Sequence, residues 1–444
     1  MEYSSRLQNV SVLGAAGKMG SGILLLTALE VADQILKPEN TGKTFVLNAI
    51  DLSPQGLAGL LKYLKTQVLK SAEKKIVTLR KAYSERADLI ENSDVIDAYV
   101  NDVMSIVRLS GRIESAYDST LVLEAVSENP ALKTKIFRQI NENNTNEPWF
   151  FTNTSSIPIK ELDSSAGLNG RIIGFHFYNP PAVQKLVELI STANNSPHII
   201  SFAKTFAANL KKVVVPSNDI AGFIGNGHFM RDGLFGIRQA EELSKRMPFV
   251  QAVYTVNRAT QDFLMRPMGI FQLIDYVGLD VMQFIMRVMD PQMTGETLHS
   301  PLLDELILKG FLGGQFSDGS QKDGFFKYAK GKIIGVFDPE TESYIALNEF
   351  SQNADEVAGK PPVQVRPWKN LVKSADKEVF LRSYFTQLAV EQTLASRLAF
   401  DYVLNSKAIG LKLVADGVAA SAEDVNTVLL TGFFHAYGPI NDYI

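Results

Sequence analysis

Apolar and polar positions alternate in a regular way through the first half of the chain. Runs of apolar, often β-branched residues predict buried strands at residues 8–13, 44–53, 121–126, 149–152, 174–176, 186–190 and 211–215. Helical patterns follow the first, second and third of these strands. Strands that alternate with helices predict a doubly wound, mostly parallel sheet. In such a sheet, ligands bind at the carboxyl ends of the strands.

The pattern changes after residue 215. Pro216–Asp219 reads as a hinge, after which the chain is helical and apolar until about Lys332. Residues 332–372 have little periodicity and four prolines, and the chain is helical again from Asp376. YFTQLAVEQTLASRLAFDYVL parallels HFMRDGLFGIRQAEEL, which indicates an internal duplication of a helical unit. We predict a sheet domain, a helical domain, a connector and a second, repeated helical domain, at residues 1–216, 217–331, 332–375 and 376–444.

Composition excludes several classes of site. The 444 residues carry a net charge of −4 with Lys and Arg spread along the chain, which argues against a nucleic-acid surface. The absence of cysteine excludes disulfides and thiol chemistry, and the five histidines show no metal-binding spacing. No signal peptide is evident, and the apolar run GILLLTALEVA is too short to cross a bilayer. We therefore expect a cytoplasmic protein with no metal site and no membrane association.

A glycine-rich loop, GAAGKMGSG, joins the first predicted strand to the first helix at residues 14–22. Strand, glycine turn and helix form the context of a dinucleotide-binding motif, in which the helix N-terminus offers N–H groups to the phosphates. Gly17 would let the backbone approach a pyrophosphate, and Gly20 would let the helix pack on its strand. The spacing is G-x-x-G-x-x-G, because Ala15 replaces the usual first glycine. The predicted cofactor contacts in this loop are Gly14, Ala16, Gly17, Lys18, Met19 and Gly20.

Asp51 closes the second predicted strand, where an acidic residue can bind the adenosine ribose and favour NAD over NADP. It lies 31 residues beyond Gly20, so a simple turn residue is the alternative interpretation. Lys62 and Lys65 share one face of the helical stretch that follows. They either bind a phosphate group of a ligand or belong to a solvated face. Residues 84–106 look like an insertion.

The stretch GFHFYNPPAVQKLVELI contains the strongest candidate for chemistry. His176 ends one strand and Glu188 lies on the next, so a strand–turn–strand can bring the two side chains together. A histidine beside a carboxylate is the usual general base near neutral pH. Taken alone, Glu188 is better interpreted as a solvated strand residue and His176 as a buried structural histidine. Its position at a strand end favours function, because Gly14, Asp51, Glu124 and Ser155 also lie at or just past strand ends.

The chain closely resembles the 3-hydroxyacyl-CoA dehydrogenases of fatty-acid β-oxidation. The similar stretches are GAAGKMGSGI, LVLEAVSENPALK, FFTNTSSIPI, GFHFYNPPAVQKLVELI, DIAGFIGN and RPMGIFQLIDYVGLD. The resemblance implies an α/β Rossmann-type N-terminal domain that binds NAD, followed by an all-α C-terminal region of two repeated helical units. It implies His176 and Glu188 as the catalytic pair, and Ser155 and Asn226 as catalytic residues that also contact the substrate. Lys62 and Lys65, from their shared helix face, are the further predicted substrate contacts. The implied cofactor contacts outside the glycine loop are Glu128, Lys133 and Asn153.

The implied activity is NAD-dependent oxidation of an (S)-3-hydroxyacyl-CoA to the 3-oxoacyl-CoA, by a dehydrogenase without an enoyl-CoA hydratase domain. Two alternatives remain open at this point. One is a β-hydroxyacid dehydrogenase with a substrate that is not a CoA ester, and the other is a catalytically silent NAD- or CoA-binding protein of the same fold. The duplication predicts either a monomer whose two helical units mimic a dimer interface, or a homodimer.

Overall fold

One eight-stranded sheet organises the first unit of the chain, Met1–Asp219, in this computed structural model. The structure describes residues 3–293, 295–316, 319–362 and 365–444. The strands are β1 (Asn9–Leu13), β2 (Val46–Ile50), β3 (Val107–Ser110), β4 (Leu121–Glu124), β5 (Trp149–Thr152), β6 (Ile172–Phe177), β7 (Leu186–Ser191) and β8 (Val213–Asn218). Their order is β3-β2-β1-β4-β5-β6-β7-β8, and all neighbours are parallel except β6 and β7. The predicted doubly wound, mostly parallel sheet is confirmed.

Helices connect these strands and cover the sheet. They are α1 (Lys18–Ile35), α2 (Pro54–Ala82), α3 (Asn92–Ile106), α4 (Pro130–Asn143), α5 (Ile159–Ala166) and α6 (Pro197–Asn209). Every residue of β4, β5 and β6 is buried, as expected for parallel strands with both faces covered. Helix α4 begins as its sequence predicts, because Pro130 occupies the first turn and the Asn129 side chain accepts a hydrogen bond from the Leu132 N–H.

The segment interpreted as an insertion, residues 84–106, contains the turn and the second helix, α3, of a helical hairpin. The first helix of this hairpin is α2. Arg80 donates to the carbonyl oxygen of Ile90 at 2.7 Å, and the Tyr83 hydroxyl donates to Asp102 at 2.5 Å. Val95, Tyr99 and other apolar residues of α3 are buried. These contacts turn a polar segment into an ordered part of the first unit.

The second unit, Ile220–Ile444, is mostly helical. Its helices are α7 (Phe223–Ser244), α8 (Phe249–Arg258), α9 (Ile270–Val277), α10 (Leu279–Met289), α11 (Pro301–Leu308), α12 (Leu347–Ala358), α13 (Trp368–Leu371), α14 (Lys377–Leu388), α15 (Leu394–Ala415) and α16 (Ala422–Gly432). The expectation of an all-α region is wrong in one place, since β9 (Phe326–Ala329), β10 (Lys332–Asp338) and β11 (Ser343–Ala346) form an antiparallel sheet. Lys330 and Gly331 both have positive φ, the geometry of a tight hairpin turn. Two of these strands, β9 and β11, have only four residues and leave little periodicity for a sequence pattern to reveal.

The predicted hinge at residues 216–219 is ordered. Residues 216–218 belong to β8, and the Asp219 carboxylate accepts the N–H groups of Ile159 and Lys160 at 2.5 and 2.8 Å. The segment expected as a connector contains β10, β11, α12 and α13. The division of the chain into four domains stays a prediction. Within the residues described, no helix has the length and apolar character needed to cross a membrane.

Candidate active site

The glycine loop after β1 is shaped by close backbone contacts. Gly14 has a φ of +71°, and a Cβ atom on it would lie 2.6 Å from the carbonyl oxygen of Ala125. A Cβ atom on Gly20 would lie 2.0 Å from the carbonyl oxygen of Gly14. Gly17 directly precedes α1 as its N-cap. Any side chain at Gly14 or Gly20 would therefore clash with the backbone, so both positions require glycine. The loop brings the N-terminus of α1 to the carboxyl end of β1.

Asp51 lies beside this loop, as its position in the sequence predicts. One carboxylate oxygen, Oδ2, accepts the Ala16 N–H at 3.0 Å, and the other accepts the Ser53 N–H at 2.9 Å. The two bonds fix the carboxylate between the glycine loop and the start of α2. Asp51 is thus more than a turn residue, since it joins two segments 35 residues apart.

A cavity of about 420 Å³ opens where these elements meet. Its lining includes Gly14, Gly17, Asp51 and a set that the sequence did not single out, namely Leu52, Ile113, Leu132, Lys135, Ile136 and Gln139. The last four repeat at helical spacing along α4, which is the signal that could have found them. A lining that combines two glycines of the loop, a fixed carboxylate and an apolar wall fits a dinucleotide. Of the other predicted loop contacts, Lys18 is exposed, Met19 is half-buried, and neither is in this lining.

A buried ion network lies at the ends of β4 and β5. The Lys133 ammonium donates to both oxygens of Glu124, at 2.7 and 2.9 Å, and lies 3.1 Å from Glu128 Oε2. Thr152 also donates to Glu124, at 2.5 Å. Burial by itself lowers the pKa of Lys133, but the two carboxylates outweigh it and hold that pKa above its ordinary value. Lys133 therefore remains charged, and a contact between it and a cofactor stays a prediction.

Glu128 organises the NTSS segment through its other oxygen. Glu128 Oε1 accepts the N–H of Ser155 at 2.8 Å, the N–H of Ser156 at 3.2 Å and the hydroxyl of Thr154 at 2.6 Å. The Ser155 hydroxyl lies 3.4 Å from the same oxygen. Burial raises the pKa of Glu128, but Lys133 and these hydrogen bonds outweigh it and hold the pKa below its ordinary value. An ionised Glu128 thus fixes the backbone that carries Ser155.

His176 and Glu188 are directly opposite each other on the antiparallel strands β6 and β7. Directly opposed residues of such a pair project to the same face of a sheet. The His176 Nδ1 atom lies 3.3 Å from Glu188 Oε1, and the side chains are 9% and 0% exposed. The sequence prediction that these two side chains meet is confirmed by this distance. A buried imidazole held by a carboxylate can accept and return a proton.

Two neighbours of this pair were not predicted. The Tyr178 hydroxyl donates to Glu188 Oε1 at 2.7 Å. Lys212 donates to the carbonyl oxygens of Pro181 and Gln184, both at 2.5 Å, and so anchors the connection between β6 and β7. Burial lowers the pKa of Lys212 to about 8. The two-residue spacing from His176 is a signal that could have indicated Tyr178, whereas nothing in the sequence connects Lys212 to this turn.

The remaining predicted residues lie in different places. The Asn153 side chain accepts the Phe177 N–H at 2.7 Å, which joins the carboxyl ends of β5 and β6. Lys62 and Lys65 are exposed on α2 in the first unit. Asn226 lies in the second unit, half-buried near the start of α7. The first unit therefore brings together Asp51 with the glycine loop, Glu128 with Ser155 and Lys133, and His176 with Glu188.

Comparison with family models gives two matches to one family. The model described as "3-hydroxyacyl-CoA dehydrogenase, NAD binding domain" matches residues 47–220. The model described as "3-hydroxyacyl-CoA dehydrogenase, C-terminal domain" matches residues 250–328. Together the two matches cover more than half of the chain. The match to the NAD-binding domain begins at residue 47, after the glycine loop with its unusual spacing.

Individual relatives agree with these matches. The chain is 29% identical to hydroxyacyl-coenzyme A dehydrogenase, mitochondrial, of Homo sapiens over 325 residues, which are 72% of this chain and 91% of the relative. It is 27% identical to a probable 3-hydroxybutyryl-CoA dehydrogenase of Bacillus subtilis over 318 residues, which are 70% of this chain and 96% of the relative. Among solved structures, 3-hydroxybutyryl-CoA dehydrogenase from Escherichia coli has a TM-score of 0.63 and 19% identity, with 98% of this chain and 90% of that one covered. At that identity the structural likeness shows the fold alone.

Proposed function

Because the chain belongs to the 3-hydroxyacyl-CoA dehydrogenase family and is an NAD-dependent dehydrogenase, we propose that it oxidises (S)-3-hydroxyacyl-CoA to 3-oxoacyl-CoA with His176 as general base. The observation that carries this proposal is the buried contact of His176 with Glu188 at 3.3 Å. The reaction requires a base that removes the proton of the 3-hydroxyl as the C3–H bond breaks. A role in fatty-acid β-oxidation belongs to the same proposal.

The His176–Glu188 contact defines which ring nitrogen is available to the substrate. If Nδ1 carries the hydrogen and donates to Glu188, Nε2 carries the lone pair. Nε2 then accepts the proton of the 3-hydroxyl, and the carbonyl double bond forms at C3. The adjacent Glu188 carboxylate stabilises the resulting imidazolium. In the reverse direction the same imidazolium returns the proton to the 3-oxo group.

The cavity beside Asp51 is the proposed binding site for the cofactor. Gly14 and Gly17 would lie against its pyrophosphate, and the Asp51 carboxylate would accept hydrogen bonds from the adenosine ribose. A fixed negative charge at this point also repels a 2′-phosphate, which favours NAD over NADP. The chemistry that NAD supplies when bound is acceptance of the hydride from C3. Ala16, Lys18, Met19 and Gly20 complete the proposed loop contacts, with Glu128, Lys133 and Asn153 at the neighbouring strand ends.

Ser155 and Asn226 are the proposed substrate contacts at the reacting oxygen, where charge changes most during the reaction. Support for Ser155 comes from Glu128, which fixes its backbone N–H. Lys62 and Lys65, both exposed, are proposed to bind phosphate groups of the CoA moiety. The acyl-CoA substrate class itself is proposed from the family.

The state of assembly and the location are also proposals. Within the second unit, α7 and α15 are both 22 residues long, and the Tyr402 hydroxyl on α15 donates to the Asp232 carbonyl oxygen on α7 at 3.1 Å. This packing supports a monomer that contains both helical units, and a homodimer in sedimentation would contradict it. A cytoplasmic location stays a prediction, since the human relative is named as mitochondrial.

The test is NADH consumption with acetoacetyl-CoA, compared for the wild-type chain and His176→Gln. We expect turnover with NADH, much weaker turnover with NADPH, and a loss of about 10²- to 10⁴-fold in kcat for the variant, which is the usual value of general-base assistance. NADH binding, followed by fluorescence, should be unchanged in the variant.

Three outcomes would contradict the proposal. Full activity in His176→Gln would remove His176 as the base. Absence of turnover with acetoacetyl-CoA and with longer 3-oxoacyl-CoA esters, despite NADH binding, would favour the silent binding protein. Turnover of a free 3-hydroxyacid instead of its CoA ester would favour the other dehydrogenase class.

A further inference from the structure

Tyr178 directly follows β6, is half-buried, and contacts the buried pair of His176 and Glu188. It lies two residues after His176, and alternation along an extended chain directs both side chains to the same side. The two rings are 4.9 Å apart at 43°, and the Tyr178 hydroxyl donates to Glu188 Oε1 at 2.7 Å. His176 Nδ1 contacts the same oxygen at the longer distance of 3.3 Å. Two donors therefore share one carboxylate oxygen.

The Tyr178 hydroxyl is a permanent donor. Burial, reinforced by the adjacent Glu188 carboxylate, holds the pKa of this phenol well above its ordinary value. Tyr178 thus stays protonated throughout the pH range in which a histidine titrates. His176, as the proposed general base, would in contrast gain and lose a proton in each catalytic cycle. Of these two partners of Glu188, the phenol keeps a constant charge and the imidazole does not.

Hydrogen bonds to a carboxylate oxygen compete with each other. A short bond from the phenol withdraws electron density from Glu188 Oε1, so this oxygen accepts less strongly from the imidazole. Glu188 then stabilises the imidazolium less than it would alone. Of the described neighbours in the first unit, the apolar Val215 on β8 lies opposite Glu188, and Lys212 donates to main-chain oxygens of the connection between β6 and β7.

We propose that Tyr178 is a positioning residue of this site, whose hydroxyl orients the Glu188 carboxylate and limits how basic His176 becomes. The inference rests on the proposed function and extends it. A base that is too strong would retain its proton after oxidation, and one that is too weak would not remove it. By sharing Glu188, Tyr178 keeps His176 able to work in both directions near neutral pH.

The experiment is an NMR titration of the chain with isotope-labelled histidine, compared for the wild type and Tyr178→Phe. The five histidines give few signals, and the one absent in His176→Gln identifies His176. We expect the pKa of His176 to rise by about 0.5 to 1 unit in Tyr178→Phe, because one hydrogen bond to the carboxylate is lost. The acid limb of the kcat/KM profile for oxidation should move to higher pH by the same amount.

Tyr83→Phe is the matched control, because its hydroxyl also donates to a carboxylate, that of Asp102, in the helical hairpin. It should leave the His176 titration unchanged. Tyr178→Met, which also lacks a donor, must shift the titration in the same direction as Tyr178→Phe and provides a second variant if the first folds poorly. An unchanged or lowered pKa of His176 in a folded Tyr178 variant would overturn the proposal.

The titration needs no substrate, so it separates this inference from the proposed function. If the wild type does not turn over acetoacetyl-CoA, the proposed function fails while the NMR comparison still tests Tyr178. If the wild type turns over but the His176 titration is the same in Tyr178→Phe, the role of Tyr178 fails alone. A lower kcat without a shifted profile would show a purely structural role and would also overturn the proposal.

Discussion

Among the residues that the structure describes, two carboxylates that are 0% exposed accept a hydrogen bond from a tyrosine, one in each unit. In the first unit Glu188 is 0% exposed and accepts the Tyr178 hydroxyl at 2.7 Å. In the second unit Asp275 on α9 is also 0% exposed and accepts the Tyr328 hydroxyl of β9 at 2.9 Å. Burial and the tyrosine partner are therefore common to both, and neither distinguishes a site of chemistry from a structural one.

The remaining partners differ. Asp275 accepts two backbone N–H groups, those of Phe325 at 2.7 Å and Phe326 at 2.9 Å, and so attaches the start of β9 to α9. Glu188 instead contacts the imidazole of His176, which can change its charge. A carboxylate held by main-chain donors stabilises one backbone arrangement, whereas a carboxylate that faces a titrating side chain can respond to a proton. The comparison predicts that substitutions at Glu188 change activity and that substitutions at Asp275 change stability.

The largest effect is expected for Glu188→Gln. A glutamine can still accept from Tyr178, but it has no charge to stabilise the imidazolium or to select the tautomer of His176. We expect kcat to fall by roughly a thousandfold, within the range for general-base catalysis. The measurement is NADH consumption with acetoacetyl-CoA, with Glu142→Gln, at an exposed position on α4, as the matched control. A thermal midpoint far below that of the wild type would show that Glu188 is mainly structural and would break the comparison.

The next effect is a pH dependence of the free energy of unfolding that Asp275 is expected to cause. Burial is the main cause that raises the pKa of Asp275 from 3.8 to about 7. The folded chain therefore keeps this proton up to about pH 7, whereas the unfolded chain loses it near pH 4. The native state binds more protons in that window, so the free energy of unfolding should fall as the pH rises from 4 through 7. The full change is roughly 4 kcal/mol, from about 1.36 kcal/mol for each pKa unit.

Asp275→Asn isolates this contribution, because asparagine does not titrate. Its amide group would also face an N–H donor, so we expect it to destabilise the second unit by about 1 to 3 kcal/mol at pH 5. Because wild-type Asp275 ionises as the pH rises and asparagine does not, this difference should fall to about zero or reverse by pH 8. Denaturant unfolding in a Trp149→Phe background would follow Trp368, the tryptophan of the second unit. Parallel pH profiles of wild type and variant would show that Asp275 does not titrate in this window.

The smallest effect is expected for Tyr328→Phe, the counterpart of Tyr178→Phe. Loss of its hydrogen bond to Asp275 should cost about 0.5 to 1.5 kcal/mol of unfolding free energy, since the carboxylate keeps its two backbone donors. The His176 titration and the kcat/KM profile should match those of the wild type. If Tyr328→Phe moved the His176 titration as much as Tyr178→Phe does, the difference between the two carboxylates would disappear.

Much of the first unit could be predicted from local pattern. The strands are buried apolar runs, and the glycine loop lies between a strand and a helix, so position in the chain implies position at the edge of the sheet. The pairing of His176 with Glu188 was predictable for the same reason, because a strand–turn–strand of that length brings the two together. The sheet at residues 326–346 was missed, since two of its three strands have only four residues and one of its turns has a positive φ at Glu342, a residue without a turn preference.

What the sequence determined by itself is therefore the parallel sheet, the glycine loop, the family and the opposed histidine and glutamate, all of which depend on residues near each other in the chain. The tertiary structure alone decided which donors surround each buried charge. Glu128 accepts the Ser155 N–H from 27 residues along the chain, and Lys212 anchors a turn about 30 residues away. A buried charge must be satisfied by whichever groups the folded backbone brings within hydrogen-bond distance, and no local pattern specifies those groups.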